Sequence, residues 1–315
     1  MAAATHRPAK AGLAARLLAG VAAIAVIGAA TFWFGTAPKP VPAERLSAIS
    51  ALTGDPEAGR RVFFAGGCTS CHAAPGSEGD QRLVLSGGVV LNSDFGTFVA
   101  PNISPDPEAG IGGWEVSDFA NAMLAGVAPD GSHYYPSFPY GSYARMSDRD
   151  VADLFAFMKT LPASSEASKP HDLGFPFSIR RLVGGWKFLY LDDGPRVELA
   201  NADAAVARGQ YLVEGPGHCG ECHTPRGPLG GFRSGAWLAG AKNPDGEGTV
   251  PNITPGGRDV SSWSASDIAA YLETGFTPDF DSVGGSMVEV QKNMAELPAE
   301  DRAAIAAYLK AIPAR

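Results

Sequence analysis

All four cysteines of the chain fall in two five-residue strings, Cys68-Thr-Ser-Cys71-His72 and Cys219-Gly-Glu-Cys222-His223. Three chemistries use a Cys-x-x-Cys pair. A redox dithiol needs only the two sulfurs and has no use for a following histidine. A zinc site needs four ligands brought close together. Covalent haem attachment needs sulfurs and histidine alike: the thiols add to the haem vinyl groups, and the histidine ligates the iron. Here the histidine is present both times, and the strings stand 151 residues apart. The spacing predicts two covalently bound haem c groups. Cys68, Cys71, Cys219 and Cys222 would hold them, with His72 and His223 as proximal iron ligands.

Each iron then needs a sixth ligand, and His/Met ligation raises the potential to suit electron transfer. The methionines are Met1, Met123, Met146, Met158, Met287 and Met294. Met1 lies in the leader. Met123 and Met158 fall on apolar faces of predicted helices, where methionine usually fills core space. For the second haem, Met287 and Met294 remain. Met287 follows Gly284-Gly285-Ser286, a flexible approach to a crowded iron. For the first haem, Met146 is the remaining methionine ahead of the closing helix, with His133 or a five-coordinate iron as alternatives. His133, His171 and His218 otherwise read as surface or linker residues.

The elements that must position these groups occur twice. Pro101-Asn102-Ile103-Ser104-Pro105 matches Pro251-Asn252-Ile253-Thr254-Pro255, and Trp114 with Asp118 matches Trp263 with Asp267. The string AFMKTLP at 156–162 matches AYLKAIP at 307–313. Four anchors in one order with near-constant offset indicate two homologous units. In each, a helix leads into the cysteine pair. Asp55-Pro56-Glu57 marks its start in the first copy by N-cap and Pro at the first helical position, and 202–213 is its counterpart. A Gly-rich loop follows, then a short helix (116–124 or 265–273) and a closing amphipathic helix (148–160 or 299–311). Few stretches alternate with a strand period, so the chain reads as mainly α with long loops. Units this loopy need a staple beyond their own side chains, and a large flat cofactor supplies one. Asn102, Trp114, Asn252 and Trp263 recur either as polar cover over haem propionates or as loop and core packing.

Residues 1–35 carry Arg7, Lys10 and Arg16 and no acidic residue, and 17–35 is the apolar run LLAGVAAIAVIGAATFWFG. Nineteen residues approach the roughly 20 that span a bilayer, with basic residues on the cytoplasmic side and Trp33 and Phe34 at the outer interface. A cleaved signal peptide, cut near Gly28-Ala29-Ala30, is the competing reading, but the apolar run continues past that point. Residues 36–54, rich in Pro and Ala, read as a tether. Lys+Arg 25 against Asp+Glu 33 gives −8, and without the three leader cations residues 36–315 carry −11. That sign excludes nucleic acid as a partner. Between the copies, Arg180, Arg181 and Lys187 alternate with Phe175, Phe177, Trp186, Phe188 and Tyr190. This reads as a linker packed between domains or a docking patch for a dehydrogenase or lipid headgroups. No phosphate loop or Ser/His/Asp array is suggested.

The strings FGTFVAPNISPDPEAGIGGWEVSDF, YPSFPYGSYARMSDRDVADLFAFMKTLP, YLVEGPGHCGECHTPRGPLGG and DSVGGSMVEVQKN resemble the membrane-anchored dihaem cytochromes c that accept electrons from bacterial periplasmic dehydrogenases. The cytochrome subunits of alcohol, aldehyde and gluconate dehydrogenases are similar in pattern. The resemblance covers most of 55–315. It implies two tandem class I cytochrome c-like domains after a transmembrane helix: anchor 1–35, tether 36–54, first domain 55–165, linker 166–200, second domain 201–315. It implies an inner-membrane protein facing the periplasm, fed by a dehydrogenase and drained by a quinone, oxidase or small cytochrome. Met287 matches the family's GG-x-M-x-E-V. Phe138 departs from it, because many relatives read Tyr-Pro-Ala-Met-Pro-Tyr where this chain has Tyr135-Pro136-Ser137-Phe138-Pro139-Tyr140. That leaves Met146 for the first iron. An open sixth site there is the sole support for a haem enzyme, a peroxidase or a sulfur-compound dehydrogenase. A haem-based sensor is disfavoured for want of a signalling domain.

Overall fold

The computed structural model describes residues 12–243, 246 and 248–315. Arg7 and Lys10, on which the expected orientation rests, lie outside the described residues. In chain order the helices are α1 (Leu13–Gly35), α2 (Ala43–Ser50), α3 (Pro56–Ala65), α4 (Cys68–His72), α5 (Val116–Ala125), α6 (Tyr140–Tyr143) and α7 (Asp148–Met158). They continue with α8 (Leu182–Tyr190), α9 (Ala204–Glu214), α10 (Gly220–His223), α11 (Arg258–Ser262), α12 (Ala265–Thr274), α13 (Met287–Met294) and α14 (Ala299–Ala311). Two antiparallel hairpins complete the set: β1 (Val90–Ser93) with β2 (Gly96–Val99), and β3 (Ala241–Lys242) with β4 (Thr249–Val250).

The chain divides into two compact units, Met1–Ala37 and Pro38–Arg315. In the first, α1 is a 23-residue apolar helix with no buried residue. At 1.5 Å per residue it is about 34 Å long, enough for a hydrocarbon core of about 30 Å. It starts ahead of the expected run and includes Arg16, whose long side chain can reach the headgroups from the first turn.

The second unit is two copies of one arrangement. In each, the helix before the cysteines crosses the closing helix at a glycine. A Cβ on Gly59 of α3 would lie 1.9 Å from the Asp153 carbonyl oxygen of α7, and one on Gly209 of α9 would lie 1.9 Å from that of Ala304 in α14. Glycine inside a helix costs about 1 kcal/mol against alanine. Here it permits backbone contact. The expected N-cap is present, with the Asp55 carboxylate accepting from the Glu57 and Ala58 N–H groups. Asp118 and Asp267 prove to be partners in capping boxes, with Glu115 and Ser264 respectively.

The other repeated residues are structural clamps. The Asn102 side chain accepts from Ser104 N–H and donates to the Ser164 and Glu166 carbonyls, at 2.9, 2.7 and 2.8 Å. Asn252 accepts from Thr254 N–H and donates to the Arg315 carbonyl, each at 2.8 Å. Both therefore pin the chain that leaves the closing helix. Lys159 donates to the Ile111 and Trp114 carbonyls, each at 3.3 Å, and Lys310 to those of Val260 and Trp263, at 3.0 and 2.9 Å. These bonds hold the Trp loop, so the packing reading accounts for the repeated Asn and for the Trp backbone.

One segment is more ordered than expected. Residues 38–54 are part of the folded unit: Val41 N–H donates to Asn121 Oδ1 at 2.9 Å, Arg45 pairs with Asp148 at 2.7 Å, and Ile49 is fully buried. Their Pro and Ala content suggests a tether, but Leu46 and Ile49 stand three apart on a helix and share a face. Residues 166–200, read as a linker packed between domains, form a strap bonded to both copies. Lys187 Nζ donates to the Ala125 and Gly126 carbonyls of the first copy, each at 2.7 Å. Trp186 Nε1 donates to the Leu229 carbonyl of the second at 3.0 Å. One hydrophobic cluster runs through both copies, from Phe63 and Leu154 to Val213 and Tyr308. The two copies therefore form one unit.

Candidate functional site

α3 ends at Gly66-Gly67, and Gly67 has φ +55°, a left-handed turn that glycine adopts without cost. The turn starts α4, which carries Cys68, Cys71 and His72. In the second copy Cys219 stands at the N-cap of α10, followed by Cys222 and His223. All four cysteines are free of disulfides. Burial pushes the Cys68 and Cys219 thiols up to about 12. A reactive redox cysteine has a lowered pKa, so these environments oppose the dithiol alternative.

The two histidines sit in equivalent frames. His72 Nδ1 lies 2.8 Å from the Pro101 carbonyl oxygen, and His223 Nδ1 lies 2.8 Å from that of Pro251. The hairpins deliver those carbonyls, since Pro101 follows β2 and Pro251 follows β4. The His72 carbonyl accepts from Gly87 N–H at 2.7 Å and the His223 carbonyl from Gly240 N–H at 2.8 Å, closing each frame. A carbonyl accepts only from a protonated Nδ1, which leaves Nε2 with a lone pair. Burial lowers both histidine pKa values, with the carbonyl bond partly opposing, so the rings are held neutral. Free thiols beside a neutral, oriented imidazole fit haem c.

Met146 is 2% exposed and packs in the shared cluster just before α7. Met287 is the first residue of α13, half-buried against the same cluster. Met294, at the far end of α13, is buried, and seven residues from Met287 it shares that face. Met123 and Met158 are buried in α5 and α7, as expected for filler. Phe138 packs edge-on against Tyr134 and Tyr143. The histidines expected at the surface are engaged. His133 is 2% exposed, His171 Nδ1 accepts from Val99 N–H at 3.2 Å, and the His218 ring meets Tyr143.

Sequence reasoning missed how the two cysteine turns are tied together. Thr69, between Cys68 and Cys71, donates to Asn293 Oδ1 of α13 at 2.8 Å, and Asn293 Nδ2 donates to Ser70 at 3.0 Å. Ser142 of α6 donates to Glu221, between Cys219 and Cys222, at 2.9 Å. Each cysteine turn thus bonds to the other copy's segment before the closing helix. Ser142 and Asn293 stand 151 residues apart, the offset of the repeat, so the two bonds are related by it.

A cytochrome c family model matches residues 56–162, the whole first copy. A "Diheme cytochrome c-type" protein of Cereibacter sphaeroides is 56% identical over 95% of this chain and 98% of its own length. The chain belongs to the dihaem cytochrome c family. It binds two haem c groups covalently. It is also similar to the fructose dehydrogenase cytochrome subunit of Gluconobacter japonicus, 36% identical over 89% of this chain and 55% of that one. With the cytochrome c subunit of the alcohol dehydrogenase (quinone) of Gluconobacter oxydans it shares 36% identity over 78% of this chain and 52% of that one. The chain thus spans about half the length of these two subunits.

Proposed function

We propose that this cytochrome is a membrane-anchored carrier that takes electrons singly from a periplasmic dehydrogenase and passes them to a quinone, an oxidase or a small cytochrome. The observation that carries the reading is the pair of equivalent histidine frames in one folded unit behind an apolar helix. One-electron transfer is the chemistry haem c supplies when bound. The chain's residues do the rest. Cys68, Cys71, Cys219 and Cys222 hold the two groups as thioethers. His72 and His223 ligate, with ring orientation fixed by the Pro101 and Pro251 carbonyls. Met146 and Met287 are the sixth ligands. A carrier gains from ligands that do not rearrange, and the burial of Met146 in a continuous core serves that. α1 keeps the unit at the inner membrane, on its periplasmic side. The relatives described as dehydrogenase cytochrome subunits support a dehydrogenase as donor.

The test uses the full chain purified from membranes. Two haems per chain should survive acid–organic extraction, and both should be low-spin in either oxidation state. The chain should accept two electrons in a titration, and peroxide should leave its spectrum unchanged. A high-spin haem that reacts with peroxide would replace the carrier with an enzyme.

A further inference from the structure

Three turns of this chain share one hydrogen-bond pattern: Ala128-Pro129-Asp130-Gly131, Gly227-Pro228-Leu229-Gly230 and Thr277-Pro278-Asp279-Phe280. In each, the fourth N–H donates to the first carbonyl, at 2.8, 2.9 and 2.9 Å. In each, the first N–H donates to the carbonyl just past the turn, at 2.9, 2.8 and 2.8 Å. The fourth residue is left-handed in all three, with φ of +77° at Gly131, +77° at Gly230 and +63° at Phe280. This three-residue loop favours glycine at that place, because a Cβ is strained there. The third turn, the second copy's counterpart of the first, carries phenylalanine instead.

Packing does not compensate for that strain. The Phe280 side chain is 87% exposed and the neighbouring Phe276 is 55% exposed. Beside the first copy's turn the cover is tighter: Val127, the counterpart of Phe276, is 5% exposed, and Arg180 of the strap donates to the His133 carbonyl at 2.9 Å, although Pro129, Asp130 and Gly131 at the tip are themselves exposed. The bare turn adjoins the helix that begins with Met287. Val283 N–H donates to the Gly275 carbonyl at 2.7 Å, and Gln291 of α13 donates to the Glu273 carbonyl at 2.7 Å. From 273 to 289 the chain has four acidic residues and no Lys, Arg or His. Glu273 and Glu289 are paired with Arg302 and Lys292, whereas Asp279 and Asp281 are exposed and in no ion pair with a described residue.

We propose that this turn is the surface on which a positively charged redox protein docks, the Phe280 ring entering an apolar recess and Asp279 and Asp281 meeting its basic rim. The inference rests on the carrier reading above. It adds where the carrier meets a partner and of what charge. A strained aromatic kept in water at a functional edge is explained by the partner that covers it. Two carboxylates beside it steer a cation to the same place. One electron passes per encounter, oxidising one protein and reducing the other, with no bond made or broken.

The test measures electron exchange between the full-length cytochrome in detergent and a lysine-rich, net-positive monohaem cytochrome c. Phe280→Gly restores the residue this turn favours, so it should fold with no loss of melting temperature and keep both haem spectra. Its second-order rate constant should fall about tenfold. Asp279→Asn with Asp281→Asn should slow exchange at low ionic strength and flatten the salt dependence. Exchange by Phe280→Gly at the wild-type rate would overturn the proposal, as would an equal rate with the lysine-succinylated, net-negative probe. If phosphatidylethanolamine–phosphatidylglycerol vesicles slow the wild type but not Phe280→Gly, the ring faces lipid and the proposal also falls. Hexaammineruthenium separates the two readings: failure of the wild type to exchange with it sinks the carrier itself, whereas normal exchange with it and no effect of Phe280→Gly sinks only the docking surface.

Discussion

The two copies keep the same histidine frame and differ inside the cysteine turn and in where their methionines stand. Their Nδ1–carbonyl distances are equal at 2.8 Å, and the clamping Asn, Lys and glycine crossing recur. The residue after the first cysteine differs. Thr69 in the first copy donates to Asn293, whereas the second has Gly220, where a Cβ would lie 2.2 Å from the Trp237 ring. The predicted sulfur ligands also come from different places. Met146 stands two residues before α7, and the residue two before α14 is Leu297. The repeat thus keeps the carbonyl that orients each histidine, and under the proposed ligation it varies where the methionine comes from. A thioether on a flexible side chain can arrive from several positions.

The largest effect is expected from exchanging the residue that differs inside the motif. Gly220→Thr copies the first repeat into the second and drives a side chain into Trp237. It should abolish attachment there, giving one haem per chain by pyridine haemochrome, while Thr69→Gly should keep two. Two haems in Gly220→Thr would mean the Trp237 contact is dispensable.

Next in size are the sulfur ligands. Met146→Ala and Met287→Ala should each open one haem to carbon monoxide and lower its potential, leaving the other low-spin. If Met287→Ala has no effect and Met294→Ala opens a haem, α13 presents its other end to the iron.

The glycine crossings should respond alike in both copies. Gly59→Ala and Gly209→Ala each place a methyl inside a carbonyl contact and should cost about 3 kcal/mol by chemical denaturation. Because one core joins the copies, each should lower a single transition. Two separated transitions would show that the copies unfold independently.

What was legible in the sequence follows the same divide. The motifs that repeat (Cys-x-x-Cys-His, Pro-Asn-Ile, the Trp–Asp pair and the closing helix) marked the helices flanking each site, and α14 fell at its expected bounds. Pro101 and Pro251 were visible as a repeat, but their role was not, because a backbone carbonyl leaves no side-chain signature. Asn293 was missed because its partners lie more than 200 residues away, and nothing local marks a contact of that range. α2 and α8 were hidden by composition. Pro and Ala masked the one, and the mixed basic and aromatic strap suggested either packing or docking for the other. Its packing is plain, with Lys187 turned inward, while Phe175 and Phe188 stay more than 80% exposed.

The strap also carries the smallest predicted effect. Lys187 Nζ is held by the Ala125 and Gly126 carbonyls over the Tyr140 ring, with no carboxylate among its hydrogen-bond partners. Burial alone pulls its pKa from 10.5 to about 7. Tyr140, under the ammonium, has its own pKa raised by burial and by Glu221. Between about pH 7 and 10.5 the unfolded chain holds a proton on this lysine that the folded chain has released. Stability contributed by this group therefore rises with pH across that window, by at most about 1.4 kcal/mol per pH unit. Below pH 7 both states are protonated and the burial penalty is present in full. Lys187→Met keeps the stem and removes the titration, so the stability of the wild type relative to the variant should rise as pH rises from 7 to 9.5. That range stops short of the tyrosines, which titrate from about 10 in the unfolded chain and would reverse the slope. The measurement is the denaturation free energy of both proteins at several pH values. A constant difference would mean that the ammonium stays charged in the fold and that the first copy's α5 terminus holds a cation, a contact with no counterpart at the bare turn of the second copy.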